Sequence, residues 1–368
     1  MKISLNNKDL KQFNKLLETK EINISIADLF LDYLENYKNN IDVNLFSSFE
    51  KNNDEKAFYN SLMDVMEIDL GNKENIFIGE HFIFPGIKCL DTKIYEDNPY
   101  VKKMKIKEQK INNLELKYLS YLPYEGFPFD DIKINEENYF QETTQIGFFK
   151  KPYHFLALLE NDEIWMSVNP NEIETMKKPI SNANGNIVVF GLGMGYFPYM
   201  CSLKHDVEHI TIIENNQKII ALFKSKLLPL FEHKEKITII NSDAFTYLKS
   251  IKSNMFTYGF VDLWHNPNDG IYAFLKFKSY ESQLPSIKFD YWLEDGLISL
   301  LRRCLITLIE EELNGSTDEQ YKIGRCETDK IINKSHFFLK NYIIKKYDDI
   351  KKLLSENSLK SLAKNLYK

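Results

Sequence analysis

The sequence predicts an α/β protein built on a doubly wound parallel sheet, with a helical and mixed region ahead of it. Two observations carry this. Four short apolar runs recur between residues 187 and 263, and the segments between them are each long enough for one helix. A glycine cluster also stands directly after the first run, where a chain leaving a strand must turn sharply. The runs are Ile187-Val188-Val189-Phe190, Ile210-Thr211-Ile212-Ile213, Ile237-Thr238-Ile239-Ile240 and residues 258–263. Continuous apolar, largely β-branched runs of this kind suit strands buried on both faces. Helices are expected over 196–204, 217–228 and 244–252.

Upstream, residues 6–69 carry helical spacing, with Leu10, Phe13, Leu16 and Leu17 recurring on one face and Leu29, Phe30, Tyr33 and Leu34 on another stretch. Between 71 and 130, Gly71, Gly86, Pro99, Pro123 and Pro128 break short apolar stretches into a mixed region with several turns. Residues 145–168 read as a hairpin. Phe148, Phe149 and Phe155 to Leu159 precede a turn at Asn161-Asp162, and Ile164-Trp165-Met166 follows it. Asn169-Pro170-Asn171 leads into a short helix near Glu172. Past residue 263 the pattern gives one long helix over 291–313 and a helical tail over 347–367. Arg302-Arg303, with Glu294 and Asp295 two turns earlier, reads as a solvated charged face. The expected organisation is an N-terminal helical and mixed domain over 1–140, a β-hairpin and linker over 141–180, and the sheet domain with a helical C-terminal extension over 181–368.

Hydrophobic residues make up 43% of the 368 and aromatics 14%, enough to bury a sizeable core and to exclude wholesale disorder. A net charge of −6 argues against nucleic acid or an anionic membrane as partner. The four cysteines are far apart and form no CxxC pair, so neither a disulfide framework nor a structural zinc site is expected. His205 and His209 are the one helix-spaced histidine pair and have no third ligand in view, so no metal is expected. The polar N-terminus and the lack of a membrane-length apolar run predict a cytoplasmic location.

The chemistry concentrates at Gly191-Leu192-Gly193-Met194-Gly195. Glycines there let a nucleotide approach the backbone without meeting a Cβ. The dinucleotide pattern is GxGxxG with pyrophosphate on the helix N-terminus. This chain reads GxGxG instead, with Tyr196 where the third glycine would fall. A sulfonium nucleoside has no pyrophosphate to hold, so the spacing favours S-adenosylmethionine on a Rossmann-like sheet. Glu214, ending the second run, suits the ribose hydroxyls. Asp243, ending the third, suits the adenine amino group, with Ala244 and Phe245 near the ring; both acids sit equally well as helix caps. Asp262, His265 and Asn266 follow the fourth run and are the expected catalytic groups, His265 as a base near neutral pH. Trp264 is expected to wall the acceptor, with Glu172 and Tyr196 on the acceptor side.

Together these segments, over residues 165–267, resemble the class I S-adenosylmethionine-dependent methyltransferases. The resemblance implies a cofactor site built from Gly191, Gly193, Gly195, Glu214, Asp243 and Asp262. The family's acidic residue two places before the first glycine is Val189 here. That feature, the strand Ile164-Trp165-Met166-Ser167 and the helix opening at Asn171-Glu172 are similar to the spermidine synthase branch. Its members transfer an aminopropyl group from decarboxylated S-adenosylmethionine to a diamine. This chain departs from that branch at Met194 in the loop, at Thr175-Met176-Lys177 and at Asn266. The resemblance therefore implies methyl transfer to a small-molecule or protein nucleophile by in-line attack. Aminopropyl transfer, or nucleoside binding without turnover, are the alternatives. A small-molecule substrate is the expected partner, with no membrane or nucleic acid, and a homodimer is compatible with the composition.

Overall fold

The computed structural model describes residues 1–38, 41, 53–252, 254–315 and 326–367. Its centre is a five-stranded parallel sheet of β1 (Gly185–Phe190), β2 (Val207–Glu214), β3 (Ile237–Asn241), β4 (Tyr258–Val261) and β5 (Lys288–Tyr291), in the order β3-β2-β1-β4-β5. The doubly wound α/β fold expected from the apolar runs is thus present. The helices between and after the strands are α1 (Tyr196–Ser202), α2 (Gln217–Leu222), α3 (Ala244–Ser250), α4 (Pro267–Glu281) and α5 (Glu294–Leu313).

Alternation along the strands divides the core in two. Val188, Phe190, Ile213 and Val261 face α3, α4, α5 and the C-terminal helices. Ile187, Val189, Ile210, Ile212, Tyr258 and Phe260 face α1, α2 and the upstream β layer. The helix Asn7–Asp32 reaches across as well, because Phe13 and Leu16 belong to the first of these cores. No helix among the described residues is long and apolar enough to cross a membrane.

Several elements differ from the sequence reading. β5 lies within the expected 291–313 helix and just before it; at the sheet edge its sequence Lys-Phe-Asp-Tyr is only half apolar, so no continuous run marks it. The helix expected over 217–228 is α-helical only to Leu222. It then passes through a π turn, Phe223–Leu227, and a 3-10 turn holding Pro229, which cannot continue the ladder. The tail is two helices, Tyr347–Leu354 and Glu356–Leu366, broken at an extended Ser355. The helical reading of 6–69 meets the Asn7–Asp32 and Asp54–Val65 helices, with 39–40 and 42–52 outside the described residues.

The 145–168 hairpin is also narrower than expected. Strands Tyr153–Glu160 and Glu163–Ser167 pair antiparallel across Asn161 and Asp162, both at positive φ, the geometry of a two-residue hairpin turn. Ile146–Phe149 instead joins a separate small sheet, parallel to Ile87–Leu90. The hairpin extends through Leu114–Tyr121 to Gln109–Ile111, and its register slips between Ile164 and Met166.

The Arg302-Arg303 pair is internal, not a solvated face. Arg302 is 2% exposed, donates from Nε to the Leu354 carbonyl at 2.9 Å and faces Glu136 at 3.6 Å. Arg303 pairs with the buried Glu142. Lys278 bridges Glu281 and Glu294, which also take Lys364 and Lys360, so ion pairs tie α4 and α5 to the tail. Leu301, fully buried on α5, should report the strength of this packing. Leu301→Ala is expected to cost about 2–5 kcal/mol, read as a lower urea midpoint with an unchanged slope.

Candidate functional site

In a doubly wound sheet the chain leaves neighbouring strands in opposite directions where the order reverses, and a crevice opens beyond their carboxyl ends. Here that point lies between β1 and β4, and a cavity of about 610 Å³ sits there. Gly191 leaves β1 with φ +98, and a Cβ on it would meet the Asp262 carbonyl at 1.9 Å, so the loop lies flat against the exit of β4. Gly193 has φ +55 and nothing within 4 Å of its would-be Cβ. Its open face is toward the cavity it lines, a cradle that any side chain would fill.

Glu214, half-buried at the end of β2, accepts from Leu192 N at 3.2 Å and from Asn216 N at 2.7 Å. It thereby ties the glycine loop to the second strand, and each oxygen keeps a lone pair for a further donor. Asp243 caps α3, its Oδ1 accepting from Thr246 N at 2.8 Å and Thr246 Oγ1 at 2.9 Å. Those bonds hold its carboxyl below the usual range. Asp243, Ala244 and Phe245 line the same cavity.

Glu172, from the helix Pro170–Thr175, and Asp262 complete the acidic lining. Among the described residues neither carboxylate side chain accepts a hydrogen bond. Burial pushes Glu172 well up, and the charge of Asp262 adds to this; burial pushes Asp262 up to about 7, with Glu214 adding. Among the described residues four carboxylates line the cavity, and no lysine or arginine does. All three tryptophans of the chain, Trp165, Trp264 and Trp292, line it too. Trp264 Nε1 donates to the Trp292 carbonyl at 3.1 Å and Trp292 Nε1 to Thr175 Oγ1 at 2.9 Å, so this wall joins three elements.

The expected residues divide clearly. Glu172, Gly191, Gly193, Glu214, Asp243, Ala244, Asp262, Trp264 and His265 come together at the cavity. His265 is exposed at its mouth, with Nδ1 3.2 Å from Asp269 Oδ2. Asn266 does not join them: its side-chain oxygen accepts from Asn268 N and Asp269 N as the cap of α4, so its catalytic assignment is replaced by a capping one. Tyr196 is likewise corrected. It is buried behind the glycine loop, its hydroxyl accepting from Asn98 Nδ2 at 3.0 Å, and it touches no part of the cavity. Gly195 packs against Phe223 as the cap of α1 and also lies off the cavity lining.

Trp165 and Trp292 were not anticipated as site residues. Trp165 sits at the register slip of the hairpin, a feature that no sequence period signals. Trp292 follows β5, the strand whose half-polar sequence hides it. Among the described residues no group of three or more His, Cys, Asp or Glu is arranged to hold a metal ion.

No protein-family model and no curated protein matches the chain. Solved structures do. A Klebsiella pneumoniae protein described as an O-methyltransferase matches at 16% identity, over 27% of this chain and 44% of that one, with a TM-score of 0.22. Spermidine synthase from Thermotoga maritima matches at 14% identity, over 40% of this chain and 55% of that one, with a TM-score of 0.30. The chain thus covers about half the length of each.

Two measurements follow from the geometry. Asn266→Ala should cost about 0.5–2 kcal/mol of stability by removing a cap, and should leave ligand affinity in the cleft unchanged, as titration calorimetry would show. Asp262 holds a proton in the native chain that a free aspartate would release, so its stabilising contribution is complete below the free value and is lost as pH rises through about 7. Asp262→Asn should therefore raise the Tm of the ligand-free protein at pH 8 by about 2 °C or more and change it little at pH 4, measured by calorimetric scans.

Proposed function

We propose that the chain is a transferase that binds S-adenosylmethionine and delivers its methyl group to a small-molecule or protein nucleophile. One observation carries the reading. The crevice at the strand-order reversal gathers an open glycine bend, three strand-end acids and a fourth carboxylate around a single cavity. That set fits the parts of a sulfonium nucleoside. The loop at Gly193 would lie against its amino-acid end and ribose, Glu214 would accept from the ribose hydroxyls, and Asp243 from the adenine amino group beside Ala244 and Phe245. When bound, the cofactor supplies a carbon activated by its neighbouring sulfonium.

The protein's share is positioning and proton removal. Trp264 and Trp292 would hold the acceptor in line with that carbon, and Asp262 would orient it. The acceptor's proton would pass to Nε2 of His265, whose ring Asp269 orients through Nδ1.

The charge of the cavity favours a second reading. S-adenosylmethionine carries a carboxylate, and among the described residues no lysine or arginine lines the cavity to meet it. Its decarboxylated form carries only positive charge, as does an amine acceptor, and both need carboxylates to replace hydration. Glu172 and Asp262, free of protein partners, suit that role, so aminopropyl transfer stands as the alternative.

Titration calorimetry with the two cofactors separates the readings. Methyl transfer expects S-adenosylmethionine to bind at least as tightly as the decarboxylated form, and aminopropyl transfer expects the reverse. Binding of neither would remove both, and tight binding with no transfer to any offered nucleophile would leave a nucleoside-binding module. Glu214→Ala should weaken whichever cofactor binds by roughly 10–100-fold, the value of hydrogen bonds to a charged group.

A further inference from the structure

With a sulfonium nucleoside in the cleft, we infer that Tyr100, a residue outside the sheet, is a positioning residue that sets the shape of the glycine loop from behind; the assignment rests on that reading of the cleft. The short helix Pro99–Lys103 packs behind the loop, capped by Asn98, whose side-chain oxygen accepts from Tyr100 N at 2.9 Å. Tyr100 is 1% exposed, and its hydroxyl donates to the Met194 carbonyl at 2.5 Å. Its ring meets Tyr196 and Tyr199 edge-on at 5.4 and 5.5 Å. The Asn98 amide reaches the Tyr196 hydroxyl, so two polar contacts from one short segment grip consecutive turns of the loop and α1.

The loop needs such a grip. Gly193 and Gly195 are both at positive φ, and α1 starts at Gly195 with no side-chain cap. Peptide planes flanked by glycines rotate with little steric resistance. The sheet side of the loop is fixed, with Gly191 N bonded to the Ile213 carbonyl and Leu192 N to Glu214. The peptide joining Met194 to Gly195 is held at both ends: its N–H reaches the Leu192 carbonyl at 3.0 Å, and its oxygen takes the Tyr100 hydroxyl. Turning that oxygen toward Tyr100 keeps it out of the cavity, where it would compete with a ligand for the loop's donors. Among the described residues the Gly193 amide has no acceptor, which leaves it for the ligand. Tyr100 thus acts on the cofactor through the loop and does not touch the cavity itself.

Tyr100→Phe keeps the ring packing and removes only the hydroxyl. The test is titration calorimetry of wild type and variant with S-adenosylhomocysteine and, separately, with adenosine, beside a thermal scan. The expected result is an S-adenosylhomocysteine affinity about 5–10-fold weaker, the size of one neutral hydrogen bond, with adenosine affinity changed less than about 2-fold because adenosine lacks the amino-acid end set against the loop and relies on Glu214 and Asp243. A merely structural role would weaken both ligands together or neither, and either result overturns the assignment. Should Tyr100→Phe fail to fold, Asn98→Ala loosens the same grip and carries the same comparison. If wild-type protein binds neither probe, the nucleoside reading of the cleft fails, and the role of Tyr100 with it.

Discussion

The site depends on the parallel pairing of β1 with β4, which sets Phe190 opposite Val261 and brings two chain exits to one level. From there β1 must turn toward α1 and β4 toward α4, on opposite faces of the sheet. The space between the diverging chains is the crevice. It stays open only because Gly191 can lie against the Asp262 carbonyl, a contact that no Cβ could survive. Glu214 then latches the loop to β2, and Asp243 arrives one strand further out.

Electrostatics give the crevice a cost that packing does not relieve. Asp262 is repelled by Glu214 and repels Glu172 in a half-buried space, and among the described residues no lysine or arginine lines it to offset them. Acids left in this state destabilise the ligand-free protein at neutral pH, the usual trade between a prepared site and stability. The same carboxylates in a protein that only needed to fold would have been paired, as Glu294 and Glu281 are with Lys278, Lys360 and Lys364 a short distance along the chain. Paired acids in the helical layer thus contrast with Glu172 and Asp262 at the cavity, whose side chains accept no hydrogen bond among the described residues.

The upstream half contributes walls and braces. The hairpin supplies Trp165 through its register slip, the helix Pro170–Thr175 supplies Glu172, and the Pro99–Lys103 helix backs the glycine loop. The cavity walls and the backing of the loop thus rest on segments far in sequence from the strands that define the crevice.

The sequence by itself determined the sheet, because short β-branched apolar runs spaced by helix-length segments, with glycines after the first, suit parallel strands buried on both faces. It determined Glu214, Asp243 and Asp262 as well, since each ends a run and a parallel sheet sends all such ends to one side. Tertiary structure alone decided which neighbours of those residues line the cavity. Asn266 and Tyr196 sit one and three residues from groups on the cavity, yet one caps α4 and the other is buried against Asn98 and Tyr100. Trp292 reaches the cavity from an edge strand that its half-polar sequence conceals, and Trp165 from a slip in pairing register. Periodicity reports which face of an element is buried, but not what that face is buried against. That partner is set by long-range packing, which no local pattern of residues encodes.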